Sequence, residues 1–218
     1  MTYDVLIADD HAIIRNGLRK MLQDTSDLVL AGEASTGHEA LDRVRQRNWD
    51  VLVLDLSMPG RQGVDLIRQI RQERPRLPIL VFSMHPEDHY AVRVIRAGAN
   101  GYLSKECNAD FIIPAIRKVA QGGMYISPTV AELLASDMSA QGATAPHLAL
   151  SNREFEIFLR ILHGTSLTAI ADALCLSIKT VSTHKTHIMT KLGVSSQVEM
   201  VRYAIAHKLV EHTEVETL

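Results

Sequence analysis

The chain is short of several things at once. It has two cysteines in 218 residues, Cys107 and Cys175, far apart in sequence. That spacing suggests neither a disulfide framework nor a metal knuckle, so both are expected as free thiols in a reducing compartment, with Cys175 in the core. Charge of one sign is also scarce. The 23 Lys and Arg nearly balance 25 Asp and Glu, so no global field announces a nucleic-acid or membrane partner. No apolar run reaches the length of a membrane span. The opening MTYDVLIADDH carries three Asp and no basic segment, unlike a secretory signal. A soluble, cytoplasmic protein without a membrane partner is expected. What is present is an ordinary core-forming composition, 46% hydrophobic and 22% charged, with room for one large domain or two modest ones.

Four short apolar runs precede residue 110, at 5–8, 51–54, 79–82 and 102–103, with a weaker one at 28–31. Helical spacing fills the gaps: Ile13, Leu18 and Leu22; Ala40, Leu41 and Val44; Val64, Ile67 and Ile70; Val92, Ile95 and Ala99. Strands alternating with helices predict an α/β doubly wound, five-stranded parallel sheet of the flavodoxin-like kind over residues 1–122. The small, polar stretch SDMSAQGATAPH at 136–147 reads as linker, within a linker of 123–149 that holds one short helix.

The pattern over 150–210 is helical throughout and predicts a small all-α, four-helix domain. Ser151 and Glu154 form a capping box ahead of Phe155, Phe158, Leu159 and Leu162, and 163–164 ends that helix. Leu167, Ile170, Ala171 and Leu174 mark a second helix. Ser177 caps a third, from 178 to 192, which Gly193 ends. Ser195 opens a fourth, with Val198, Val201 and Ile205 expected to face inward. Residues 211–218 form an acidic tail. Residues 1–146 hold 16 basic and 18 acidic side chains, whereas 151–208 hold 7 and 4. The two parts are suited to different partners.

In an open parallel sheet the strand C-termini share one edge, where ligands bind. Here those ends carry Asp9 and Asp10, then Asp55, then Ser83, then Lys105. Three clustered carboxylates repel one another unless a cation sits among them, and an all-oxygen set favours Mg²⁺ or Mn²⁺. A hard cation, one lysine and one small hydroxyl suit a phosphoryl group. Asp55 would be the nucleophile, forming an aspartyl phosphate, with Lys105 and Ser83 on the phosphoryl oxygens.

DVLIADDH, VLVLDLSMPG, ILVFS and GYLSK, in that order and spacing, resemble the receiver domain of two-component response regulators over about residues 1–122. The resemblance implies phosphotransfer from a sensor histidine kinase to Asp55. It also implies Mg²⁺ bound by Asp10, Asp55 and the Ser57 carbonyl, with Asp9 acting mainly through water. Ser83 and Tyr102 match the family's switch pair, a hydroxyl that moves toward the phosphoryl group and an aromatic that turns inward behind it. One departure is that Glu106 follows Lys105 where many receivers have proline.

In the helix SIKTVSTHKTHIMTKLG, Ile178, Val181, Ile188 and Leu192 share one face, while Lys179, Ser182, Thr183, Thr186 and Thr190 share the other. Small polar residues flanked by lysines suit a helix lying in the major groove, and the preceding helix completes a helix-turn-helix. LSNREFEIF, IADALCLSIKTVSTH and KLGV resemble the LuxR-type DNA-binding domain, and with the receiver they give the architecture of the NarL/FixJ subfamily. By position, Ser182, Thr183 and Thr186 would meet base edges of double-stranded DNA. Lys179, Thr180, Lys185, His187 and Lys191 would mostly meet phosphates. His184 reads as a packing or capping residue. Val198, Val201 and Ile205 occupy the helix that contributes to dimerisation in this family, and a homodimer is expected on phosphorylation.

Three other readings stay open at this level. A phosphatase of the haloacid-dehalogenase class needs a second carboxylate two residues after the nucleophile, where Ser57 stands. A receiver-linked antiterminator would bind RNA, which the helix-turn-helix disfavours. A phosphorylation-independent regulator would have an incomplete pocket, whereas this one looks complete. A non-enzymatic, phosphorylated transcription regulator is the expected function.

Overall fold

All four residues of VLVL, 51–54, are fully or almost fully buried, as a strand must be when both its faces are covered. The computed structural model describes residues 2–59, 63–85, 87–139, 145–207 and 209. It divides the chain into two compact units, Met1–Gln141 and Gly142–Leu218.

In the first unit, β1 (Tyr3–Ala8), β2 (Leu28–Ala34), β3 (Val51–Leu54), β4 (Ile79–Ser83) and β5 (Gly101–Ser104) form one parallel sheet in the order β2-β1-β3-β4-β5. The connecting helices are α1 (Ala12–Gln23), α2 (Gly37–Gln46), α3 (Gly63–Glu73), α4 (Glu87–Arg96) and α5 (Ile112–Ala120). Strand residues alternate between two layers. Val5, Ile7, Val51, Val53, Leu80 and Phe82 pack with Leu18 and Leu22 of α1 and with Ile112, Ala115, Ile116 and Val119 of α5. The intervening residues point to the other face, which right-handed crossovers assign to α2, α3 and α4. The expected doubly wound sheet is therefore the observed one.

Two helical faces differ from the sequence reading. Ile13 is 85% exposed; Leu18 and Leu22 anchor α1 in the core, with Ile14 and Met21 packed against it. On α4, Val92 and Ile95 are half-buried, and the fully buried residues are Tyr90, Ala91 and Val94. Ala99, read with Val92 and Ile95, is buried just past the helix, so the expected spacing caught the edge of the inward face and missed its centre at Tyr90, Ala91 and Val94.

The stretch read as linker contains α6 (Pro128–Ser139), which lies in the first unit and packs on α4, with Val130 fully buried. The polar run 136–147 thus begins inside a helix. Just before α6, Tyr125 adds a rung beyond β5: its carbonyl accepts the Tyr102 N–H at 3.0 Å and its N–H donates to Asn100 O at 3.0 Å. Glycine at 101 permits this, since a Cβ there would stand 2.7 Å from the Tyr125 carbonyl oxygen.

The second unit contains α7 (Asn152–Leu162), α8 (Leu167–Ala173), α9 (Ile178–Leu192) and α10 (Gln197–Ala206). Ser151, Ser166, Ser177 and Ser196 each accept a hydrogen bond from the backbone N–H three residues on. The Ser151–Glu154 capping box is complete in both directions. The fourth helix is capped by Ser196, not Ser195. Its buried residues are Met200 and Ala204. Val198 is 63% exposed, and Val201 and Ile205 are half-buried, so these three do not form its inward face. The expected tail, 211–218, lies outside the described residues.

Candidate functional site

The sheet's hydrogen bonding continues one rung past the strands. Asp55 N–H donates to Ala8 O at 2.8 Å and Lys105 N–H donates to Ser83 O at 2.8 Å. The strand ends therefore hold Asp9, Asp55, Ser83 and Lys105 by backbone as well as by side chain. Lys105 Nζ lies 2.7 Å from Asp9 Oδ2 and 2.9 Å from Asp55 Oδ2, and all three side chains are at most 2% exposed. A buried ammonium shared by two buried carboxylates offsets part of their desolvation and fixes their spacing. Asp10 is more open, with its side chain 33% exposed. Ser57 donates its backbone N–H to Asp55 Oδ1 at 3.3 Å.

Several neighbours of this pocket were not singled out in the sequence. The backbone N–H of His11 donates to Asp9 Oδ1 at 2.8 Å, and its ring Nδ1 lies 2.8 Å from Asp10 Oδ1. Arg15 donates to the Asp9 carbonyl oxygen at 2.6 Å. His85 Nε2 lies 3.2 Å from Ser57 Oγ, and its ring stacks on Tyr90 at 4.1 Å between centroids. His11 was within reach of sequence reasoning, since it adjoins the Asp pair. His85 was not, because only the turn after β4 brings it across to Ser57.

Ser83 and Tyr102 are both buried in the expected place. The Tyr102 hydroxyl donates to His85 O at 2.5 Å, and Ser83 Oγ accepts the His85 N–H at 3.4 Å. Burial pushes the Tyr102 phenol far above its ordinary value, which the adjacent Ser83 offsets only in part. Tyr102 therefore serves as a neutral hydrogen-bond donor, held in the inward position.

One candidate ligand atom from each of Asp9, Asp10, His11 and Asp55 lies within 4.8 Å of the others. Three carboxylates against one ammonium leave a net negative pocket of hard oxygen donors, a set that fits a divalent cation.

In the second unit, α9 buries Val181, Ile188 and Leu192, while Ile178 is 51% exposed and does not join that face. The turn before α9 places Cys175 at φ +53°, and this cysteine is exposed, not in the core. Lys179, Ser182, Thr183, Thr186, His187 and Lys191 are exposed, and Thr180 and Lys185 are half-buried. Thr183, Thr186 and Thr190 donate their hydroxyls back to the carbonyls of Lys179, Ser182 and Thr186 at 3.0–3.2 Å. Each hydroxyl then presents lone pairs outward at low conformational freedom.

Lys185 Nζ donates to Gln197 Oε1 at 3.0 Å and Lys191 Nζ lies 2.6 Å from Glu154 Oε2, so both lysines tie α9 to its neighbours. Burial pushes the Glu154 carboxyl up, but hydrogen bonds from Lys191 and Ser151 outweigh it and hold the group below its ordinary value. His184 is half-buried with Nδ1 facing inward, as expected of a packing residue.

The chain matches two family models, the response regulator receiver domain over residues 5–117 and the bacterial regulatory proteins of the luxR family over 148–204. It is 36% identical over 208 residues to the response regulator GacA of Pseudomonas aeruginosa, covering 95% of this chain and 97% of GacA. It is 38% identical over 214 residues to the oxygen regulatory protein NreC of Staphylococcus aureus, covering 95% and 99%. Among solved structures, it resembles RcsB of Salmonella enterica serovar Typhimurium bound to the rprA promoter with a phosphomimetic beryllofluoride. That match has a TM-score of 0.60 and 30% identity over 93% of this chain and 98% of RcsB. A second match, at TM-score 0.59 and 29% identity over 94% and 99%, shows two RcsB dimers on two parallel DNAs. The chain belongs to the NarL/FixJ family of two-component response regulators, in which a receiver domain is joined to a LuxR-type helix-turn-helix domain.

Proposed function

We propose that this chain is a cytoplasmic transcription regulator switched by phosphorylation of Asp55. A sensor histidine kinase donates the phosphoryl group, and double-stranded DNA is the target. The observation that carries the reading is Lys105 Nζ bridging Asp9 and Asp55 at 2.7 and 2.9 Å inside a buried pocket. That arrangement holds a carboxylate as nucleophile and keeps a cation beside the position of the incoming oxygens.

Asp9, Asp10, Asp55 and the Ser57 carbonyl would hold a Mg²⁺ or Mn²⁺ ion. Such an ion, when bound, supplies charge neutralisation on the phosphoryl oxygens. Asp55 attacks phosphorus, and a P–O bond forms as the donor's P–N bond breaks. Lys105 then passes from the two carboxylates to a phosphoryl oxygen, and Ser83 donates its hydroxyl to another. Its neighbour Tyr102 stays inward behind it. The added charge, roughly −1.5 to −2, biases the surface around β4 and β5. Phosphorylation would promote dimerisation, release of the helix-turn-helix, or both, with Val198, Val201 and Ile205 of α10 in the dimer contact. A dimer reads half-sites about one helical turn apart.

On α9, Ser182, Thr183 and Thr186 would meet base edges, with Lys179, Thr180, Lys185, His187 and Lys191 toward phosphates. Lys185 and Lys191 reach DNA only by leaving Gln197 and Glu154. Domain bounds of 1–122 and 150–210 serve this reading, with 123–139 attached to the receiver.

Intact mass after incubation with Mg²⁺ and a small acyl phosphate tests the reading. Wild type should gain one phosphoryl group and Asp55→Ala none. Equal uptake by both would refute it.

A further inference from the structure

His11 occupies the N-cap of α1 without capping it. N-cap positions favour Ser, Thr, Asp or Asn, whose oxygen accepts a first-turn N–H. The His11 side chain makes no such bond. Its ring turns the other way, into the acidic pocket. Nδ1 lies 2.8 Å from Asp10 Oδ1 and 3.3 Å from Asp9 Oδ1. The other side of the pocket is already committed, since Lys105 takes Oδ2 of both Asp9 and Asp55. The Oδ1 atoms of Asp9 and Asp10 and the His11 nitrogen thus form a second, adjacent group of donors.

Donors on opposite sides of one ion stand about 4–4.5 Å apart at bond lengths of about 2.0–2.2 Å. The four candidate atoms here lie within 4.8 Å of one another. That upper bound is close to the span of donors around one ion. The His11 side chain is 59% exposed, so packing does not oppose that movement.

We propose that His11 Nδ1 is a metal ligand, turning the carboxylate pocket into a mixed nitrogen–oxygen site that favours a first-row transition dication over Mg²⁺. The inference rests on the phosphoacceptor reading of the same pocket. An ion among these oxygens would take Nδ1 in place of its hydrogen bond to Asp10, the Nδ1 proton passing to solvent while Nε2 carries the ring's remaining hydrogen. Mg²⁺ gains little from an imidazole, because it prefers oxygen ligands and keeps its waters. Co²⁺ and its neighbours in the series gain more.

Co²⁺ and Mg²⁺ affinities, measured by calorimetry on the full chain, test this in wild type, His11→Ala and Asp10→Ala. His11→Asn is added because asparagine restores a capping group and preserves α1. Both His11 variants should weaken Co²⁺ about tenfold while leaving Mg²⁺ within about twofold. Pulsed EPR with Mn²⁺ as probe should show directly coordinated nitrogen in wild type and none in either His11 variant. Equal losses for Co²⁺ and Mg²⁺ would overturn the proposal, because they mark a purely electrostatic or structural role. So would a nitrogen coupling that survives in both variants, which would place another nitrogen at the metal. If neither ion binds wild type, or if Asp10→Ala binds both unchanged, the acidic-pocket reading itself fails and this one with it.

Discussion

At the sheet edge, Asp9, Asp55 and Lys105 are buried and each charge has its partner within 2.9 Å. On α9, Lys179, Ser182, Thr183 and Thr186 are exposed, and the threonine hydroxyls are held by their own helix. The first arrangement suits chemistry on one small group, because low dielectric and fixed distances make each charge count. The second suits a large polyanionic partner, which itself desolvates the surface on binding and supplies the complementary charge. The glutamate beneath α9 joins the two styles: Glu154 is 4% exposed, yet its partner Lys191 reaches the surface.

Removing the shared cation should test the contrast most severely. Lys105→Ala leaves two buried carboxylates facing each other without an ammonium, so a loss of about 3–5 kcal/mol is expected. Urea unfolding of the first unit in EDTA would register it, and a divalent cation should restore part of the loss. An unchanged midpoint would mean that the pocket is far wetter than its geometry indicates.

A smaller effect separates two lysines of α9. Lys191→Ala leaves the Glu154 carboxylate with its Ser151 hydrogen bond alone and should cost the second unit about 1 kcal/mol. Lys179→Ala should leave stability nearly unchanged, weaken binding to all DNA sequences alike, and lower the salt-dependence slope by about 1. Thermal unfolding and binding isotherms at several salt concentrations would distinguish them. Both variants should lower the slope, and only Lys191→Ala should lower stability; equal stability in the two would mean that the Glu154 contact contributes nothing.

The smallest expected effect is a pH slope. The folded Glu154 carboxyl is held below its ordinary value of 4.5 by Lys191 and Ser151. Its stabilisation is therefore full above that value and is lost as pH falls through the folded value. Second-unit stability, followed by denaturation at pH 6 and at stepwise lower pH, should decline in wild type. Glu154→Gln should show less of that decline, starting from a lower plateau.

The amino-acid sequence by itself determined the five strands, the order of chemistry at their ends, the Ser151 and Ser177 caps and the helix-turn-helix. These are local or periodic properties: VLVL demands cover on both faces, and a serine before a helix can cap it whatever lies beyond. Only the tertiary structure decided which apolar residues reach a core. Ile13, Ile178 and Val198 have the right spacing, but each lies in the first turn of its helix and stays exposed. It also drew 128–139 onto α4, since composition cannot show which surface awaits a helix. The partnerships of Lys191 with Glu154, Lys185 with Gln197 and Ser57 with His85 were likewise invisible, because 37, 12 and 28 residues of chain separate them. Periodicity carries information over a few residues, whereas a hydrogen bond depends on a few tenths of an ångström set by the whole packed unit.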